Sequence, residues 1–100
     1  MTHTVFFWLS PDLTDTETAT FETEAKKLLT IDVIQRGSVG KTAPTPERPV
    51  TDKTFSYSLH LEFASIADHN IYQDHADHHA FVDACKHMWT KAIVYDAESI

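Results

Sequence analysis

The stretch Thr2-His3-Thr4-Val5-Phe6-Phe7-Trp8-Leu9-Ser10 decides the fold. It is rich in β-branched and aromatic side chains, which suit a pleated strand. Successive strand residues point to opposite faces, so His3, Val5, Phe7 and Leu9 share one side and Thr4, Phe6 and Trp8 the other. Both sides are apolar. Helices can cover one face of a small sheet, but the second apolar face calls for another sheet, and a chain this short takes that from a second subunit.

One hundred residues make a single domain, residues 1–100. Folding at this size buries roughly 60–65% of the surface of the unfolded chain, a margin that usually needs reinforcement. The lone Cys85 excludes an internal disulfide, and its place in an apolar helical pattern marks a buried, inert thiol. A formal charge of −7 argues against nucleic acid and anionic membrane, both of which require clustered Lys and Arg. The apolar run Val5–Leu9 lacks a basic lead and is too short for a signal peptide core or a membrane span, so a cytoplasmic protein is expected.

Downstream of Pro11, Thr14-Asp-Thr-Glu17 fits a capping box, and Phe21, Ala25, Leu28 and Leu29 form one apolar stripe of a helix to about Thr30. Ile31–Lys41 reads as a second strand. Pro44, Pro46 and Pro49 exclude helix or central strand from Thr42–Asp52, a long connection suited to covering a site or gripping a partner. Thr54–Phe63 alternates, with Phe55, Tyr57, Leu59, Leu61 and Phe63 on the face that should meet helices. Ser65-Ile-Ala-Asp68 starts another helix, whose pattern breaks between His75 and Asp77. A further helix carries Phe81, Val82, Cys85, Met88 and Trp89 on one side, and Thr90–Asp96 is the last strand. The order β, α, β, β, broken α, β predicts an α+β, ferredoxin-like monomer: a four-stranded antiparallel sheet with helices on one face.

Five of the seven histidines fall between Asp68 and His87. His75 with His78 or His79 has metal-ligand spacing on a continuous helix. No third ligand follows at a recognisable spacing, Cys85 is alone, and the break spoils the register, so no metal site is expected. The alternative is acid–base chemistry, with His78 as proton acceptor and Tyr72 as donor to a developing oxyanion. His3, Val5, Phe7, Tyr57, Leu59, His75, Phe81, Val82 and Trp89 are the expected substrate-binding residues around this pair, in a pocket for a small apolar or aromatic ligand. His69, His79 and His87 are expected on solvated helix faces, His75 to cap the broken helix with its ring, and His60 to meet the dimer partner.

The first strand, the Tyr57-Ser-Leu-His-Leu-Glu-Phe63 strand and above all Tyr72-Gln-Asp-His75-Ala-Asp-His78-His79-Ala-Phe81 resemble the stress-responsive dimeric α+β barrel (Dabb) family. The likeness runs from Thr2 to Asp96. It implies a homodimer in which two ferredoxin-like sheets close a barrel. The family includes a plant polyketide cyclase that works by aldol condensation without metal or organic cofactor, and the resemblance implies that Tyr72 and His78 stand at its catalytic positions. His3, Phe81 and Trp89 also match. This chain departs from that pattern in three places. His75-Ala-Asp-His78 replaces the common His-Pro-x-His, Tyr57 stands where the cyclase has a strand histidine, and Val82 replaces a small pocket residue. Three functions follow as expectations: a cofactor-independent cyclase- or lyase-like enzyme acting on a small carbonyl or aromatic compound, a non-catalytic ligand-binding or stress-associated dimer, and a cofactor-free monooxygenase of the antibiotic-biosynthesis type.

Overall fold

The computed structural model describes residues 1–100. Four strands, β1 (Thr2–Leu9), β2 (Ile34–Gly40), β3 (Tyr57–Phe63) and β4 (Trp89–Ala97), form one sheet in the order β2-β3-β1-β4 with antiparallel neighbours. Helices α1 (Asp15–Leu28), α2 (Ile66–Asp74) and α3 (Ala76–Cys85) belong to the layer on one face, and a 3₁₀ turn, Lys86–Met88, leads into β4. This is the ferredoxin-like arrangement.

The local causes are those of the sequence. At the start of α1 the Glu17 amide donates to Thr14 Oγ1 at 3.1 Å, and the Thr14 amide donates to Glu17 Oε1 at 3.1 Å, which satisfies two otherwise orphaned donors. Asp15 and Glu17 then stand at the positive end of the helix dipole, and Lys26 and Lys27 at the negative end. Phe21, Ala25 and Leu28 are buried with Val5, Phe7, Tyr57, Leu59, Leu61 and Phe63 of the sheet, and Ile31, Tyr72, Phe81, Cys85 and Met88 complete the core. Gly37 lets β2 approach closely: a Cβ there would stand 2.8 Å from methyl carbons of both Leu29 and Leu61.

Three boundaries differ from the sequence reading. The helix with Phe81 ends at Cys85, so Trp89 opens β4 instead of closing α3. β2 begins at Ile34, because Ile31 closes the turn after α1: its amide donates to the Leu28 carbonyl, and its own carbonyl accepts from Ile34. β3 begins at Tyr57, because the Ser56 hydroxyl, not a backbone carbonyl, accepts the Leu9 amide at 2.9 Å. That exit turns Phe55 away from the helices and onto the opposite sheet face, where its ring centroid is 4.9 Å from that of Phe6.

That opposite face carries Thr4, Phe6 and Trp8 of β1 beside Lys91, Ile93 and Tyr95 of β4, as their register requires. Trp8 Nε1 donates to Thr54 Oγ1 at 2.9 Å, and Lys91 Nζ lies 4.6 Å from the Trp8 ring centroid, but Tyr95 remains 60% exposed. His60 shares this face and pairs with the Thr4 hydroxyl at 3.0 Å. Within one chain, no second layer covers this face.

Light scattering at micromolar concentration is expected to give twice the chain mass, with Phe6→Glu shifting the mass to that of one chain; a monomeric wild type would refute this. Gly37→Ala is expected to cost about 1 kcal/mol through overpacking, read as a lower urea midpoint with an unchanged slope.

Candidate active-site pocket

Tyr72 lies in the last turn of α2, and the chain then breaks at His75, whose backbone is extended (φ −67°, ψ 140°). The His75 amide donates to the Tyr72 carbonyl at 3.1 Å, ending α2, and His75 Nδ1 accepts the Asp77 amide at 3.0 Å, starting α3. The ring is thus the N-cap of α3. The break has a geometric effect. Six residues along a continuous helix turn about 240° beyond a full circle, which would set Tyr72 and His78 on different sides. The elbow turns both inward, with ring centroids 4.8 Å apart.

Tyr72 and His78 line a cavity of about 160 Å³ together with His3, Val5, Phe7, Leu59, Phe81, Val82 and Trp89. Gln73, Ala92 and Val94 also line it and were not anticipated. A period-2 reading of β4 could have found the last two: they stand opposite Phe7 and Val5, so their side chains face the helices.

Tyr57 lies elsewhere. Its hydroxyl donates to Glu22 on α1, whose carboxylate also meets Lys41 Nζ at 3.3 Å, and Lys41 Nζ stands 5.7 Å from the Tyr57 ring centroid. The Tyr57 hydroxyl, and to a lesser degree Lys41, hold the Glu22 carboxyl below its ordinary range. Tyr57 is therefore a core residue pinned to α1, not part of this cavity. His75 likewise caps a helix outside the cavity lining.

His69 is a second correction. It was expected in solvent, but the Ser65 hydroxyl accepts the Asp68 amide at 3.1 Å and starts α2 directly after β3. His69, three residues before Tyr72, therefore shares its inner side, with ring centroids 4.8 Å from His3 and 5.6 Å from Phe63. His79 and His87 are exposed.

His3 Nδ1 lies 2.6 Å from Asp96 Oδ1, directly across the β1–β4 ladder. Asp96 was expected only as the end of a strand; the same alternation that reveals Val94 would have revealed it. A carboxylate only accepts, so it holds the proton on Nδ1 of His3 and leaves Nε2 as the basic nitrogen of the neutral ring. Burial pulls the His3 pKa below the ordinary 6.5, with Asp96 opposing. Burial, followed by the neighbouring His79, pulls His78 down as well. His78 Nδ1 is buried without a hydrogen-bond partner. Burial raises the Tyr72 phenol far above its usual 10, which keeps it protonated. The lining thus joins neutral imidazoles to a phenol that can only share its proton.

The chain thus joins a ferredoxin-like sheet and one helical layer to a Tyr72–His78 contact at the helix elbow. The model of the Stress responsive A/B Barrel Domain (Dabb) matches residues 1–99, and the chain belongs to that family. The solved Dabb family protein with a ferredoxin-like fold from Mesorhizobium loti is 28% identical, with a TM-score of 0.79 over 99% of this chain and 95% of that one. A dimeric ferredoxin-like protein of unknown function from Bacteroides fragilis is 23% identical, with a TM-score of 0.75 over 98% and 94%. The hydroxynitrile lyase from Passiflora edulis is 17% identical, with a TM-score of 0.78 over 99% and 94%, a likeness of fold. No curated protein matches the chain. The Bacteroides protein is described as dimeric, and so is a ferredoxin-like protein of unknown function from Thermobifida fusca, 17% identical.

The lowered histidines carry a sign. Above pH 6.5 both states hold these rings neutral; as pH falls through 6.5 the unfolded chain takes up protons that the folded one resists, so stability falls. The melting temperature is expected to drop between pH 7 and 5, and histidine NMR titration should place His3 and His78 below 6.5. Titration of both rings above 6.5 would contradict this.

Proposed function

We propose that the protein is a cofactor-independent acid–base enzyme acting on a small carbonyl or aromatic compound, with His78 as general base and Tyr72 as oxyanion donor. The observation that carries this reading is the buried, unpartnered Nδ1 of His78 beside the Tyr72 ring in an apolar cavity. A neutral imidazole has a lone pair to offer near pH 7, and a phenol held far from ionisation donates a hydrogen bond without losing its proton.

The reaction class is proton abstraction next to a carbonyl, or from a hydroxyl. His78 takes the proton, the electron pair moves onto the carbonyl oxygen or expels a carbon leaving group, and Tyr72 donates to the resulting oxyanion. The proton held on His78 then returns to the product, so the enzyme ends as it began. Aldol-type carbon–carbon bond formation and its reverse, the lyase direction named for the passion-flower neighbour, both fit this sequence of steps. The cavity lies below the ~300–1,000 Å³ usual for drug-sized ligands, and Val82 occupies part of its wall, so a compact substrate fits better than an extended polyketide.

Those same two facts favour a second reading, a dimer that holds a small apolar ligand without transforming it. Turnover of a panel of small aldehydes, ketones, cyanohydrins and phenols separates the two. His78→Ala is expected to lower kcat/KM about 10²–10⁴-fold, and Tyr72→Phe about 10²–10³-fold. Unchanged rates in both variants would end the acid–base reading. A compound that raises the melting temperature and is recovered unaltered would establish the binding one.

A further inference from the structure

Outside the acid–base pair, His3, His69 and Asp96 bring three metal-ligating side chains together from β1, α2 and β4, with one donor atom of each within 4.8 Å of the others. We propose that these three residues form a binding site for a divalent transition metal of the zinc type, with water completing the coordination shell.

Two imidazoles and a carboxylate are a donor set that suits zinc and its first-row neighbours, and three ligands with an open position is the pattern of a reactive, not a closed structural, site. Each ligand is held by its own support. His3 is buried and fixed in the central strand, and Asp96 stands directly opposite in the ladder. His69 lies against the rings of His3 and Phe63.

The tautomer of His69 is also set. Its Nδ1 lies 3.1 Å from Asn70 Oδ1, an amide oxygen that only accepts, so Nδ1 carries the proton and Nε2 carries the lone pair. That Nε2 is buried and has no hydrogen-bond partner. A buried lone pair on an imidazole whose other nitrogen is hydrogen-bonded to a carbonyl is the usual state of a histidine ready to ligate.

Coordination requires a modest adjustment. Metal–ligand bonds of about 2.0–2.2 Å place tetrahedral donors about 3.3 Å apart. The His3–Asp96 contact must therefore open from 2.6 Å and the widest separation close from 4.8 Å. The Asp96 side chain, 45% exposed, is the group free to move, and its exposure gives the ion access. His3 ligates through the nitrogen facing Asp96, and its ring proton shifts to the other nitrogen. No proton is lost. The formal charge of −7 draws cations toward the molecule.

This inference stands apart from the acid–base reading, since neither His78 nor Tyr72 is a ligand. The test is titration of chelator-treated protein with zinc by calorimetry and with cobalt(II) by visible absorption, together with imidazole ¹⁵N NMR of the wild type. One metal per chain is expected, with the His3 and His69 ring nitrogens shifting on binding. His69→Ala and Asp96→Asn should weaken binding at least about tenfold, while His79→Ala, a surface change, leaves it intact. The proposal fails if micromolar zinc does not bind, if shifts are confined to His75, His78 and His79, or if Asp96→Asn binds as tightly as the wild type. Should His69→Ala not fold, the wild-type ring shifts and Asp96→Asn decide the matter.

Discussion

The two-sided alternation of β1 is the constraint on which this molecule depends. Because β1 pairs with β3 on one edge and β4 on the other, its residues occupy the middle of both faces of the sheet. His3, Val5 and Phe7 supply the floor of the cavity, and Phe6 and Trp8 supply the centre of the uncovered face. A slip of one residue would exchange the two sets, placing His3 outside and Trp8 among the helices. The pairing of Leu9 with the Ser56 hydroxyl and the register shift beyond Trp8 end this alternation where the chain turns towards α1.

The second constraint is the elbow at His75. A helix continuing from α2 through α3 would have kept the histidine spacing that resembles a metal motif and lost the convergence of Tyr72 with His78. By accepting the Asp77 amide, the His75 ring compensates α3 for a missing intrahelical partner and so makes the break inexpensive. Asp77 in the first turn adds a favourable charge at the helix start. An imidazole in this capping role explains how a histidine can be necessary for a pocket without lining it.

Most of the architecture was legible because it rests on local signals. The capping box at Thr14, the stripe from Phe21 to Leu28 and the alternation of β3 each declare themselves within about ten residues. The inward direction of Val5, Phe7, Leu59 and Phe81 was legible for the same reason, since strand and helix periods determine which way they point. The misreadings arise where a side chain overrides the period. Phe55 obeys the alternation of β3 on paper, but the Ser56 hydroxyl ends the ladder first. Tyr57 keeps its inward direction but meets α1 instead of the elbow, because Glu22 captures its hydroxyl. Alternation along β4 and the Ser65 cap give the facing of Asp96 and His69, but that both meet His3 depends on the β1–β4 register and on how α2 packs on the sheet, which are long-range quantities.

The histidines finally divide by their access to water, not by their crowding along the chain. His79 and His87 are exposed, whereas His3, His69 and His78 are drawn between sheet and helices. Burial lowers the pKa of both His3 and His78, and proximity adds to it: His79, then His3 and His69, disfavour charge on His78, and His69 disfavours it on His3. Both rings, His3 and His78, are thereby kept uncharged at neutral pH, with the Asp96 carboxylate against His3. Neutral imidazole is the form that accepts a proton from a carbon acid and also the form that ligates a metal ion. The burial that excludes water from the aromatic lining thus leaves both rings in the form that either proposed chemistry would require, with a phenol beside His78 and a carboxylate beside His3.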